Sequence, residues 1–114
     1  MTQDTQPMRE KRIQFEGSSL ADLKAFPKDA MNNAGYQLGQ IQHGFDPNDF
    51  KAISRVGKGV MEIRLWDDAG TFRVLYVAKF EEAVYVLHCF KKTTQEISEA
   101  DIQLAKKRYK SISR

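Results

Sequence analysis

Cysteine is almost missing. Cys89 is the only one among 114 residues, so no intrachain disulfide can form and a Cys-rich zinc site is excluded. Such a chain suits a reducing cytoplasm, and a cytoplasmic location is expected. No run approaches the roughly 20 apolar residues of a membrane-spanning helix, and the opening MTQDTQPMREKR lacks an apolar signal-peptide core. No membrane partner is expected. The motifs of cofactor chemistry are missing too: there is no metal-ligand spacing, phosphate-binding loop or Ser-His-Asp pattern. Gly57-x-Gly59 falls short of a dinucleotide fingerprint and reads as a hinge into a strand. Neither metal nor cofactor is expected. With 41% hydrophobic and 29% charged residues, wholesale disorder is excluded. The length fits one domain over 1–114, with a flexible tail at 1–11. A net charge of +3 and a pI near 9.0 lean towards an anionic partner without compelling one.

What is present is organised around residues 60–92, VMEIRLWDDAGTFRVLYVAKFEEAVYVLHCFKK. β-branched and aromatic residues dominate, and turn residues fall at Asp67-Asp68-Ala69-Gly70. The stretch predicts three antiparallel strands at 60–66, 71–79 and 83–90. Alternation places Met61, Ile63 and Leu65 on one face with Phe72, Val74 and Tyr76, and with Tyr85, Leu87 and Cys89. The opposite face then gathers Glu62, Arg64, Arg73, His88, Phe90 and Lys92. Upstream, 12–15 reads as an edge strand, and Ser19 with Asp22 as a capping box for a short helix. A second helix over 28–43 carries Met31, Ala34, Leu38 and Ile41 on one stripe, with Gly44 as its stop. The two helices form a hairpin over the apolar side of the sheet. Residues 45–59 read as a loop. A last helix starts at a second capping box, Ser98 with Asp101, and buries Ile102, Ala105, Tyr109 and Ile112. Its outer side is basic through Lys106, Lys107, Arg108, Lys110 and Arg114.

The polar face suits metal-free RNA cleavage. Attack by the 2′-OH needs a base, positive charge on the phosphate and a proton for the leaving 5′-oxygen. His88 or Glu62 fits the proton work, and Arg73, Arg64 and Lys92 fit the charge. A lone strand histidine is, however, as often a hydrogen-bonded structural residue. Glu62 with Arg64 reads either as a surface ion pair or as a carboxylate orienting a phosphate-binding arginine. Phe90 is a candidate for stacking a nucleobase, whereas Trp66 reads as packing. The basic last helix is a solvated face unless it continues the sheet's surface.

GVMEIR (59–64), GTFRVLYVAKF (70–80), AVYVLHCFKKT (83–93), DIQLAKKRYK (101–110) and AFPKDAMNNAGYQLGQIQHG (25–44) together resemble the RelE/ParE toxin superfamily, in its phage-related, HigB-like branch. The resemblance implies an α+β, RelE-like fold. In it an N-terminal helical hairpin packs on a twisted, mainly antiparallel sheet with a C-terminal helix. It further implies the toxin of a type II toxin–antitoxin pair, a ribosome-dependent mRNA endonuclease that blocks translation by cutting A-site mRNA. Arg64, Arg73, His88 and Lys92 fall on the family's motif positions, with Glu62 beside them, and Lys91, Phe90, Lys106, Lys107 and Arg108 are the added RNA-binding candidates. The implied partners are the ribosome with its mRNA and a helix-turn-helix antitoxin through which operator DNA is bound indirectly. Thr93 departs from the pattern, standing where a second lysine is usual. The alternatives are a ParE-like gyrase inhibitor and a non-catalytic, nucleic-acid-binding prophage remnant.

Overall fold

The computed structural model describes residues 10–112. The elements run β1 (Arg12–Phe15), α1 (Ser19–Lys24), α2 (Lys28–Gln42), β2 (Phe50–Ala52), β3 (Val60–Asp67), β4 (Gly70–Val77), β5 (Ala83–Lys92) and α3 (Glu99–Ile112). Five strands form one sheet in the order β1-β5-β4-β3-β2. The β3-β4-β5 meander is antiparallel, as its short joins require, and β2 adds antiparallel to β3. β1 pairs parallel with β5, which the long connection through α1, α2 and the other strands allows.

This is the expected α+β architecture, with the edge strand at 12–15 where the alternation places it. The expected N-terminal helical hairpin is not confirmed. The first described element is a strand, with α1 lying against β5 and α2 chiefly against β3. Of the expected tail, residues 1–9 lie outside the described residues. Lys11 is held: its backbone pairs with Gln42 and its ammonium donates to the Ala78 carbonyl at 2.6 Å. Residues 45–59 are not all loop, because Phe50 to Ala52 pair with Ile63 to Met61 as β2. Three residues are too short a run for alternation to register.

The helix ends bear out one of the two expected capping boxes. At α1 the cap is Ser18 and not Ser19, with the Ser18 hydroxyl donating to Asp22 at 2.8 Å. Ser19 is fully buried and reaches the Val86 carbonyl. At α3 the Ser98–Asp101 box forms as expected, the Asp101 N–H donating to Ser98 Oγ at 3.1 Å. α2 ends where Gly44 takes φ +90°, a left-handed conformation that suits glycine. His43, at that end, sets its Nδ1 2.9 Å from the Gly39 carbonyl.

Two cores sandwich the sheet. Under α1 and α2 lie Ile63, Leu65, Phe72, Val74, Tyr76, Val84, Val86 and Cys89. Under α3 lie Val60, Leu75, Val77 and Leu87, with Ile102 and Ala105 from the helix. Each fully buried aliphatic contributes roughly 1.5–3 kcal/mol, so α3 is a structural layer of the fold. A bulge in β5 decides the division: Leu75 pairs with His88 but Tyr76 pairs with Val86, leaving Leu87 as the extra residue. Strict alternation puts Tyr85, Leu87 and Cys89 on one face. The bulge instead sends Tyr85 and Leu87 to the α3 side while Cys89 stays under α1 and α2. Tyr109 reaches across α3's edge onto Gly57, where a Cβ would meet its ring at 2.5 Å. Gly57 is thus a close-approach residue as well as a strand entry.

Candidate nucleic-acid interface

The α3-side face of the sheet is built in registered rows. Arg64, Arg73 and Phe90 form one row across β3, β4 and β5; Trp66, Thr71 and Lys92 form the next. Behind them Lys51 pairs with Glu62, which aligns with Leu75 and His88. Between these rows, the 51–55 segment and the entry to α3 lies a cavity of about 490 Å³. Glu62, Arg64, Arg73 and Lys92 all line it. Four of the candidate site residues therefore converge as the alternation predicts.

Their partners are less predictable. Glu62 does not pair with Arg64, its neighbour along the strand. Its Oε2 accepts from the Arg73 Nε–H across the β3–β4 ladder at 2.7 Å, and both side chains are almost fully buried. Arg73 Nη1 also donates to the Phe72 carbonyl at 3.1 Å. Glu62 Oε1 is buried without a hydrogen-bond partner among the described residues. The expected pairing of Glu62 with Arg64 is replaced by a buried pairing with Arg73. Arg64 is half-exposed and held by Asp49, with Nε at 2.9 Å and Nη2 at 2.8 Å from one carboxylate oxygen. Arg55 at the cavity wall pairs with Glu99 at 2.5 Å, both exposed. Hydrogen bonds from Gln103 and then Arg55 hold the Glu99 carboxyl below its ordinary value. Lys51 and Lys92 are the cavity cations with no carboxylate in ion-pair range among the described residues. The Lys92 ammonium donates to the Gln95 carbonyl.

His88 faces α3. Its Nε2 lies 2.7 Å from Asp101 Oδ1, and Ser98 donates to the other Asp101 oxygen at 2.8 Å. The ring stacks on Phe90 with centroids 4.6 Å apart and planes 25° from parallel. Nδ1 is buried, with no hydrogen-bond partner among the described residues. His88 thus joins β5 to the start of α3 and positions Phe90, and it does not line the cavity. Phe90 is half-buried by that contact.

The remaining candidates scatter. Because β5 continues to Lys92, Lys91 points to the other side, where it lines a separate cavity with Phe26, Phe72 and Cys89. Lys106 is half-buried and Lys107 exposed on α3, and neither lines the site cavity. Arg108 is a clamp: Nη1 donates to the Leu87 carbonyl at 2.9 Å and Nη2 to Ser18 Oγ at 3.1 Å. Nothing in the sequence marks Asp49 and Asp101 as the carboxylates that hold Arg64 and His88, or places Lys51 on a strand. Trp66, expected to pack, is 55% exposed. Its signal was present, since it shares the strand parity of Glu62 and Arg64. Among the described residues no cluster of three or more His, Cys, Asp or Glu is placed to hold a metal ion, and no helix is long and apolar enough to cross a membrane.

Residues 21–110 match the family described as Phage derived protein Gp49-like (DUF891). The chain belongs to that family. No curated protein matches it. Among solved structures it is similar to a mutant of the E. coli toxin RelE in the free state, with TM-score 0.61 and 15% identity over 91% of this chain and 99% of that one. It is also similar to a chain of the Mycobacterium tuberculosis toxin–antitoxin complex RelBE2, with TM-score 0.50 and 20% identity over 76% and 97% respectively. Family and fold agree with the RelE-superfamily resemblance carried by the sequence motifs.

Proposed function

We propose that this Gp49-like chain is the toxin of a type II toxin–antitoxin pair and cuts mRNA in the translating ribosome. The observation that carries the reading is the cavity on the sheet face, where Arg64, Arg73 and Lys92 meet above the buried Glu62. A RelE-like fold and a phage-derived family support it. In this reading a phosphodiester displaces Asp49 from Arg64, and the guanidiniums of Arg64 and Arg73 take the phosphate oxygens. Glu62 keeps its Oε2 on Arg73 and accepts the 2′-OH proton at Oε1, the oxygen Arg73 does not hold, as the 2′-oxygen attacks phosphorus. Lys92 neutralises the phosphorane and supplies the proton to the leaving 5′-oxygen. His88 holds Phe90 and α3 in place. The antitoxin is a helix-turn-helix protein that covers this face and carries the complex to operator DNA.

The test is cell-free translation with the purified protein, followed by primer extension on the mRNA. Cuts that require translating ribosomes and vanish with Lys92→Ala are expected; Lys92 is chosen because it is not part of the buried ion pair. Intact mRNA with normal translation would sink the reading. A supercoiling assay would then test gyrase inhibition, and inertness in both would leave a non-catalytic remnant.

A further inference from the structure

We infer that Trp66 is a nucleobase-stacking platform of this surface, so that the face binds single-stranded RNA through a base as well as through phosphate. The inference rests on the RNA-directed reading of the cavity and adds to it a site just outside the cavity wall. Trp66 is an exposed large aromatic on the sheet face that carries the cations, and it is 55% accessible at the end of β3. It stands two residues from Arg64 on the same strand, and the Arg73 guanidinium carbon lies 5.9 Å from its ring centroid. In register it pairs with Thr71, which pairs with Lys92. Thr71 Oγ1 is tied to the Lys92 carbonyl at 3.1 Å, fixing that row. Trp66 and Lys92 are thus two strands apart, roughly 10 Å.

An indole left this exposed forgoes the burial that the fold gives Phe72 and Tyr76; Tyr36 and Phe45 are exposed too, but on α2 and in the loop after it, away from the sheet face that carries the cations. The cation beside it contributes at most modestly at such a distance and exposure. What the arrangement does provide is an apolar face rimmed by Arg73, Arg64 and Lys92, which is the pairing that single-stranded nucleic acid requires. The base lies on the aromatic and the backbone tracks the positive charge. Duplex has no unstacked base to offer, so the ligand is single-stranded, and the RNA-directed reading of the cavity makes it RNA.

Trp66 is the only tryptophan in the chain, so intrinsic indole emission reports on this residue alone. The experiment titrates the protein with a short 2′-O-methyl oligonucleotide, which cannot be cut by 2′-OH attack, and with an abasic oligomer of equal length and charge. Quenching by the first and not by the second is expected. With a labelled oligonucleotide and anisotropy as the readout, Trp66→Ala should weaken binding roughly 5- to 150-fold while Trp66→Phe keeps most of it. The salt dependence should be unchanged by Trp66→Ala and reduced by Lys92→Ala. Equal quenching by the abasic oligomer overturns the inference, as does an unchanged affinity in Trp66→Ala. Ribosome-dependent cutting by the wild type with equally fast cutting by Trp66→Ala also overturns it and leaves the endonuclease reading standing. Quenching without any mRNA cutting keeps the stacking site and removes that reading.

Discussion

Glu62 and Arg73 meet diagonally across the β3–β4 ladder at 2.7 Å, both almost wholly buried on the face that carries the candidate site. Removing one partner of such a pair leaves an uncompensated buried charge, at a cost of about 3–5 kcal/mol. Arg73→Ala should therefore lose both activity and stability, and a variant that merely unfolds tests nothing about catalysis. Arg73→Lys keeps the charge and loses the planar fork. It should stay folded by circular dichroism while ribosome-dependent cutting falls by about 10²–10³. Wild-type cutting in a folded Arg73→Lys would remove Arg73 from the mechanism.

The Ser98–Asp101–His88 chain predicts a different signature. Ser98→Ala removes a cap and should cost about 1 kcal/mol. Asp101→Ala removes the cap partner and strands His88 Nε2 in a buried position, for about 1–3 kcal/mol. Thermal melts should rank Asp101→Ala below Ser98→Ala, with both folded at 25 °C. Equal melting temperatures for all three proteins would show that His88 draws nothing from Asp101.

Arg108 and Lys107 are neighbours in a basic run and should behave as opposites. Arg108→Ala loses charge-assisted bonds to the Leu87 carbonyl and Ser18, and about 1–3 kcal/mol of stability should go with them. Lys107→Ala removes an exposed charge and should change stability by no more than about 0.5 kcal/mol. Chemical denaturation of the two variants side by side measures the difference directly.

Cys89 should be inert in the native protein. Burial first, and then the Asp22 carboxylate, push its thiol from 9.0 up to about 12, so the reactive thiolate is suppressed. A thiol reagent at pH 8 should label it only after unfolding. The linkage has a definite sign. Below pH 9 the thiol is protonated in both states and its contribution is complete. Between about 9 and 12 the unfolded chain releases the proton first, so stability falls as pH rises. Burial raises Tyr76 in the same direction. Stability followed from pH 8 to 11 should decline less steeply in Cys89→Ala than in the wild type, and an equal slope would contradict the assignment.

By itself the sequence determined the meander, the helical segments and the polar face. Each follows from local periodicity: parity along β3 puts Glu62 and Arg64 together, and Pro27, Gly44 and Ser98 bracket their helices. It also carried the superfamily resemblance in ordered motifs from Ala25 to Lys110. Tertiary structure decided the partners. Asp49 reaches Arg64, Glu62 reaches Arg73, and Asp101 reaches His88 only once neighbouring elements pair and pack, and no spacing rule encodes those choices. The Leu87 bulge was equally hidden, because one extra residue in a strand reverses the facing of everything on one side of it while leaving composition untouched. Burial likewise separated Arg108 from Lys107 and exposed Trp66. A strand's pattern says which side a residue takes. Only the packed neighbours say whether that side is covered.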